Sequence, residues 1–397
     1  MIALCSRLEC TGCGACANRC PHGSITMLED TEGFSQPMIN AENCTKCGAC
    51  LRVCPVLNPV SLHSPTEEVY AAWALDDSLR RTSSSGGMYS VLAEEILKHG
   101  GAVVGSTFDS DFILRVRLAD NQTDVAKLRG SKYVQNEPGK IYQEIEEVLK
   151  QKRPVLYCST PCQVAALRVF LAKEYPELYT CDLVCHGVPS PRMFREYLKH
   201  ILHKNQFKKI CDFQFRELEG WGYSHTSIKT REGQVVPTPY QKDYYLWAFS
   251  RGITNRESCY RCRYACQSRC GDLTLGDFWG LGEDKEFPYP TDRGVSLVLI
   301  NSSQGEKLFR AVSGKIFKAK RDLAESLVKN TQLRKPVTRM AVRDTIYQDF
   351  YRMEPAVFCR KYRLVTPPGI KLITLPYRAT RRLMHIFSKY YRKRIRK

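Results

Sequence analysis

Apolar positions recur at two periods along this chain, and the alternation of the periods predicts its elements. EVYAAWALD (68–76) reads as a strand. MYSVLAEEILKHGG (88–101) carries Met88, Val91, Leu92, Ile96 and Leu97 at helical spacing and stops on a glycine pair. AVVGSTFD follows as a buried strand, and a helix is predicted over Ile141–Lys150. PVLYCSTPCQVAALRVFLAK then gives strand, turn and a helix opened by Pro161. YTCDLVCHGVPSPRMFREYLKHI repeats the pattern: the strand ends at Cys185–His186, Ser190 caps, and Pro191 starts the helix. KICDFQFRE and SHTSIKTREGQVVPTP alternate as strands, GVSLVLI (294–300) is a buried strand, and 305–365 reads as mostly helical and charged. Strand–turn–helix units with chemistry at strand ends predict an α/β core whose site lies at the carboxyl edge. The N-terminal segment obeys neither period, so the fold class expected for the whole is α+β / α/β.

That first segment is organised by cysteine. CTGCGACANRCP and CTKCGACLRVCP each read C-x2-C-x2-C-x3-C-P, the spacing of a bacterial two-cluster ferredoxin. Three cysteines of one loop reach three corners of a cubane, and the fourth crosses to the other cluster. Cluster I therefore takes Cys10, Cys13, Cys16 and Cys54; cluster II takes Cys44, Cys47, Cys50 and Cys20. Gly12, Gly14, Gly48 and Ala49 are small enough for backbone N–H groups to approach the sulfides. Pro21 and Pro55 turn the chain after each crossing cysteine.

A third metal site is predicted around Cys259-x2-Cys262, with two ways to complete it. Cys266 and Cys270 supply a local set, compatible with zinc or iron–sulfur. Cys162 and Cys185, each at a strand-to-helix turn, supply a non-local one. Cys162 sits at a helix N-terminus, where the dipole favours thiolate. Cys5, Cys158, Cys181, Cys211 and Cys359 read as free, buried thiols. The serine- and glycine-rich turn 81–87 feeding a helix N-terminus is a candidate anion site.

Composition changes the picture in two places. The 397 residues carry a net charge of +19, but residues 1–60 are slightly acidic, while 371–397 hold ten basic side chains and no acid. PYRATRRLMHIFSKYYRKRIRK (376–397) reads as a basic amphipathic helix suited to an anionic membrane surface, or as a solvated tail. No recognition fold accompanies that charge, so nucleic acid is not expected as a partner. No apolar run approaches the ~20 residues of a membrane span. With nineteen cysteines at metal spacings and no signal pattern, the expected location is the reducing cytoplasm, with possible peripheral contact on the inner membrane face.

SSSGGMYSVLAEEIL, RGSKYVQ, STPCQVAAL, DLVCHGVPSP and the C-x2-C before GDLTLGDFWG lie in order over some 230 residues. In these stretches the chain resembles the β-subunit family of coenzyme F(420)-reducing hydrogenases and dehydrogenases. It looks especially like the bacterial branch with a fused two-cluster ferredoxin that accompanies polysaccharide biosynthesis genes. The resemblance implies a bound FAD, a third [4Fe-4S] cluster on Cys162, Cys185, Cys259 and Cys262, and a deazaflavin, coenzyme F(420), that this branch does not require. It places flavin contacts on Ser85, Gly86, Gly87, Gly130, Ser131, Lys132, Tyr133 and the Asp272–Asp277 turn with Gly276. Asn136 departs from the branch, which often has Ser there. No G-x-G-x-x-G follows a strand, so a Rossmann site is not expected.

The domains expected are a ferredoxin module at 1–60, a linker at 61–68, a flavin and iron–sulfur core at 69–300, a helical extension at 301–375 and the tail at 376–397. The expected function is an oxidoreductase that passes electrons between clusters and FAD, with Lys132 stabilising negative charge and His186 as acid–base group. Its partners are a redox protein or ferredoxin-type donor and a small molecule, possibly a glycan precursor. Two further readings share these motifs: an electron-transfer subunit for a separate catalytic partner, and a redox-sensing iron–sulfur protein.

Overall fold

The computed structural model describes residues 4–216, 221, 222 and 225–364. The sequence repeat at the N-terminus is also a structural repeat. The short helices Ala15–Arg19 and Ala49–Arg52 both begin at a glycine in the left-handed region, Gly14 (φ 73°) and Gly48 (φ 72°). Gly14 is required twice over, because a Cβ there would also stand 2.6 Å from the Pro138 ring. Between the two runs, β1 (Ile25–Glu29) and β2 (Ser35–Ile39) pair antiparallel.

The rest is built on one eight-stranded sheet. Its strands are β3 (Val69–Ala74), β4 (Ala102–Phe108), β5 (Leu114–Ala119), β6 (Val155–Ser159) and β7 (Leu178–Leu183). A three-stranded antiparallel sheet follows, of β8 (Ile210–Gln214), β9 (His225–Thr230) and β10 (Val235–Pro239), before β11 (Leu273–Asp277), β12 (Ser296–Ile300) and β13 (Ile316–Arg321) return to the large sheet. The order there is β13-β3-β12-β11-β7-β6-β4-β5. The central run β11, β7, β6, β4 is parallel, and the outer strands are antiparallel. Near-continuous apolar strands such as SLVLI, buried at every position, are what a sheet covered on both faces requires.

Both faces are covered. Helices Met88–Lys98, Gln122–Leu128 and Ser303–Ala311 pack on one, around Val91, Leu92, Leu156 and Val298. Helices Ile141–Lys150 and Pro161–Leu171 pack on the other, together with Ala15 and Cys13 of the ferredoxin module. The three-stranded sheet and helix Pro191–Asn205 enclose a separate aromatic cluster of Phe194, Tyr197, Phe213, Phe215 and Tyr245. Ser190 caps that helix as predicted, its hydroxyl accepting from the Met193 N–H at 3.3 Å.

The region expected to be a helical extension contributes β13 at the edge of the sheet, hydrogen-bonded to β3 along its length. The alternation of IFKAKR, with Ile316 and Arg321 buried, is that of an edge strand whose lysines face solvent. Residues 365–397, which include the predicted amphipathic tail, lie outside the described residues. Among the described residues no helix is long and apolar enough to cross a membrane.

One buried ion pair ties the parallel strands to the cysteine-rich loop. Asp182, at 0% exposure, accepts from Arg269 Nε (3.1 Å) and Nη2 (2.8 Å), from Thr274 Oγ1 (2.7 Å), and from the backbone N–H groups of Cys270 (3.1 Å) and Gly271 (2.9 Å). Arg269, at 2% exposure, also donates to the carbonyls of Leu183, Tyr264 and Cys266. Replacing Asp182 by Asn keeps the shape and strands the buried guanidinium. The expected outcome is a loss of about 3–5 kcal/mol in urea unfolding.

Candidate functional site

A cavity of about 600 Å³ opens at the carboxyl ends of the parallel strands, the edge predicted from the strand–turn–helix pattern. Its walls include the serine turn 83–88, the loop 128–136, the β6 turn 158–163, the β7 turn 183–188, the stretches 258–265 and 275–279, and Leu8, Thr11 and Pro55 of the N-terminal module.

One wall holds Cys162, Cys185, Cys259 and Cys262. The four thiols lie close enough for Cys162 to feel Cys185 and Cys262, and for Cys185 to feel Cys259 and Cys262. Burial pushes Cys162, Cys185 and Cys259 up to about 12, and Cys262 up as well. Cys162 stands in the first turn of helix Pro161–Leu171, with the Thr160 hydroxyl 3.3 Å from its sulfur. Cys266 and Cys270 do not line this wall. The Cys266 thiol donates to the carbonyls of Arg263 and Ser268 (3.4 and 3.1 Å), and Cys270 donates to Pro161 O at 3.2 Å. Among the described residues no three thiol, imidazole or carboxylate groups close on a point as ligands of one ion do; the four thiols share the lining of one cavity.

The ferredoxin module is seated directly beside this wall. Arg256, at 2% exposure, donates from Nε to the Cys10 carbonyl (2.7 Å) and from Nη1 to the Ser35 carbonyl (3.0 Å) and Gln135 Oε1 (3.3 Å). Its own N–H is bound by the Val188 carbonyl at 2.9 Å. Tyr142 donates to the Cys13 carbonyl at 2.9 Å. Cys13 and Cys162 sense each other's charge, and buried Tyr142, Tyr157 and Tyr264 each border both. The cluster I cysteines Cys10, Cys13 and Cys54 are buried and Cys16 is half-buried. Of the cluster II cysteines, Cys50 is buried, Cys20 and Cys44 are half-buried, and Cys47 is exposed. Cys5, read as a free thiol, is half-buried next to Cys10 and Cys54 and draws both thiols down.

The same cavity is lined by most of the predicted flavin contacts. Ser85, Gly87, Gly130, Ser131, Lys132, Tyr133, Gly276 and Asp277 line the cavity. Two of their stretches are stapled together: Ser84 Oγ accepts from the Ser131 N–H at 2.8 Å, and Arg129 donates to Ser90 and Thr82. Helix Met88–Lys98 begins at Gly87 with no side-chain cap, so its first N–H groups face the cavity unclaimed by a side chain. Asn136, the noted departure, donates to Ser106 Oγ at 2.8 Å and to Gln163.

Two predicted contacts have other roles. Gly86 does not line the cavity; a Cβ there would stand 2.3 Å from the Ala72 carbonyl, so the glycine lets the turn lie against β3. Asp272 is also outside, its carboxylate accepting from the Thr180 N–H (2.8 Å), Ser302 Oγ (2.7 Å) and Arg168 (3.2 Å). Lys132 lines the cavity, but its ammonium donates to the carbonyls of Leu128, Arg129 and Gly130, closing the C-terminus of helix Gln122–Leu128. Burial draws it down to about 8. Burial also lowers His186, while nearby Asp277 opposes the shift.

Several lining residues carry no sequence signal. Arg216 clasps Asp277 (2.6 and 3.3 Å), Trp221 Nε1 donates to the same carboxylate (2.7 Å), and the Trp221 and Trp279 rings stack at 5.1 Å and 7°. Among the described residues Tyr89 OH, Thr11 Oγ1 and Gln135 Nε2 are buried at this cavity without a hydrogen-bond partner.

Paired C-P runs on a two-stranded module, docked beside a four-thiol wall, define an iron–sulfur electron-transfer protein. Residues 9–58 match the 4Fe-4S dicluster domain. Residues 69–140 match the N-terminal part, and 152–322 the C-terminal part, of the coenzyme F420 hydrogenase/dehydrogenase beta subunit. Together those two ranges span more than half of the chain, which belongs to this beta-subunit family. It is also similar to a solved chain of the F420-reducing [NiFe] hydrogenase complex from Methanosarcina barkeri, at 19% identity and a TM-score of 0.45, over 72% of this chain and 93% of that one. No curated protein matches the sequence.

Arg256→Met takes the guanidinium donor from the buried Cys10 and Ser35 carbonyls, while Gln135 Oε1 keeps the Ser35 N–H. It is expected to cost about 3 kcal/mol in urea unfolding and to speed protease cleavage within 61–68.

Proposed function

We infer that the chain is a self-contained iron–sulfur flavoprotein oxidoreductase. In this reading Cys10, Cys13, Cys16 and Cys54 hold one [4Fe-4S] cluster, and Cys44, Cys47, Cys50 and Cys20 a second. Cys162, Cys185, Cys259 and Cys262 hold a third, and FAD lies in the cavity beside it. The observation that carries the reading is the shared cavity, which is lined both by four thiols and by an uncapped helix start with Ser84, Ser85, Arg129 and Ser131.

The donor set supports a cluster. Four thiols lining one cavity are the ligand number of a cubane, whose thiolates sit at four separate corners, and soft thiolate ligands suit iron–sulfur. The hydrogen bonds of Cys266 and Cys270 to carbonyls leave those two as thiols, which favours the non-local set over the local one. The flavin reading is supported by the size of the cavity, by its unpartnered Tyr89 and Gln135 groups, and by backbone N–H groups placed to receive a pyrophosphate. Once bound, flavin and clusters together supply exchange between electron pairs and single electrons.

The chain's own residues set access and order. Exposed Cys47 would be the end at which a donor protein meets the module, and Cys13, near enough to Cys162 to feel its charge, the end that delivers inward. Lys132 fixes the Gly130–Ser131 loop through three carbonyls rather than reaching into the cavity. His186 lines the cavity next to Cys185 and is the candidate acid–base group there, with nearby Asp277 opposing the lowering by burial. A small molecule or glycan precursor enters beside Trp279. The beta-subunit description of the family favours a second reading, in which electrons leave to a separate catalytic partner.

Iron, sulfide and flavin are to be measured on anaerobically purified protein. About twelve irons and one FAD per chain are expected, falling by about four irons in Cys162→Ser. About eight irons with zinc and no flavin would overturn the reading. Substrate turnover by the lone chain, as opposed to turnover only in a complex, separates the two functions.

A further inference from the structure

The cavity borders a second pair of cysteines, apart from the four-thiol wall. Cys158 on β6 stands directly opposite Cys181 on β7 in the parallel register. Residues paired this way point to the same face with Cα atoms about 5 Å apart, within the roughly 4.4–6.8 Å that a disulfide spans. The Cys181 thiol donates to the Asp182 carbonyl at 3.8 Å, and the neighbouring Cys158, then burial, push it well up. Access to the two is unequal. Cys158 is half-buried and lines the cavity, whereas Cys181 is 1% exposed and lies behind it. The Tyr89 hydroxyl lies beside both sulfurs, and no group among the described residues accepts or donates a hydrogen bond to it.

An accessible thiol backed by a buried one is the arrangement of thiol–disulfide exchange, in which one sulfur attacks and the other resolves. We propose that Cys158 and Cys181 form a redox-active dithiol that reduces a low-molecular-weight disulfide admitted to the cavity. Cys158 attacks one sulfur of the substrate, whose S–S bond breaks; the first thiol leaves with the proton that Cys158 gave up. Cys181 then attacks Cys158 Sγ, the mixed disulfide breaks, and the second thiol leaves with the Cys181 proton. Two electrons and two protons pass to the substrate, and the Cys158–Cys181 bond forms. Tyr89 donates a hydrogen bond to the departing sulfur. Neither cysteine belongs to the sets assigned to clusters, and the step needs no flavin, so it stands or falls apart from the function proposed above.

The full-length protein, purified anaerobically, reduced and desalted, is incubated with glutathione disulfide, alkylated and mapped by mass spectrometry. The expected result is release of about two glutathiones per chain and a peptide carrying Cys158 linked to one carrying Cys181. Cys181→Ser should stop at a persistent glutathione adduct on Cys158, at unchanged iron content. Wild-type protein in which both residues alkylate as free thiols would overturn the proposal. If a variant loses iron, the wild-type map alone decides.

Discussion

A carboxylate and a guanidinium taken out of water each carry several kcal/mol of desolvation, which is offset only when both are fully hydrogen-bonded. Asp182 and Arg269 meet that condition, and the way they meet it shapes the site. Asp182 closes the last turn of a central parallel strand, and Arg269 ends the cysteine-rich loop. Each also grips the other's backbone: Asp182 the N–H groups of Cys270 and Gly271, Arg269 the carbonyl of Leu183. Cys259 and Cys262 are thereby held against a turn that carries Cys185, far from them in the chain. The four-thiol wall is a consequence of this ion pair rather than of any spacing.

Arg256 repeats the device at the junction with the ferredoxin module. It lies close in sequence to Cys259 and donates to the carbonyl of Cys10 itself. With Tyr142, which donates to the Cys13 carbonyl, it fixes the separation between the module's first cysteine run and the four-thiol wall. Gly14 packed on Pro138, and Arg343 on Glu32 at 2.6 and 2.8 Å, extend the same seam. The module is fixed to the core over its cluster I side and open on its cluster II side.

What the chain shows by reading alone is what local chemistry controls. Pro161, Ser190 and Pro191 start helices because capping and a fixed φ act within a turn, and the two C-P runs declare themselves by spacing. Contacts across the sheet are not written locally. Gly86 and Asp272 look like contacts to a bound group and turn out to serve strand packing, because both lie beside the true lining and share its composition. The strand Ile316–Arg321 hides behind its lysines. Arg216, Arg256 and Arg269 carry no spacing signal at all; only burial distinguishes them from the many basic residues of this chain.

The place of β3 has a bearing on how the molecule is made. β3 is the first strand of the large sheet to be synthesised, yet both of its neighbours, β12 and β13, come from late in the chain. Pairings of such long sequence separation close slowly, so the sheet stays unsealed until synthesis is nearly over. The N-terminal cysteine runs emerge long before that. Arg256 and Tyr142, which later cover Cys10 and Cys13, are not yet in place when those thiols are first exposed. Assembly of the buried cofactor thus has a window, and the final strands shut it.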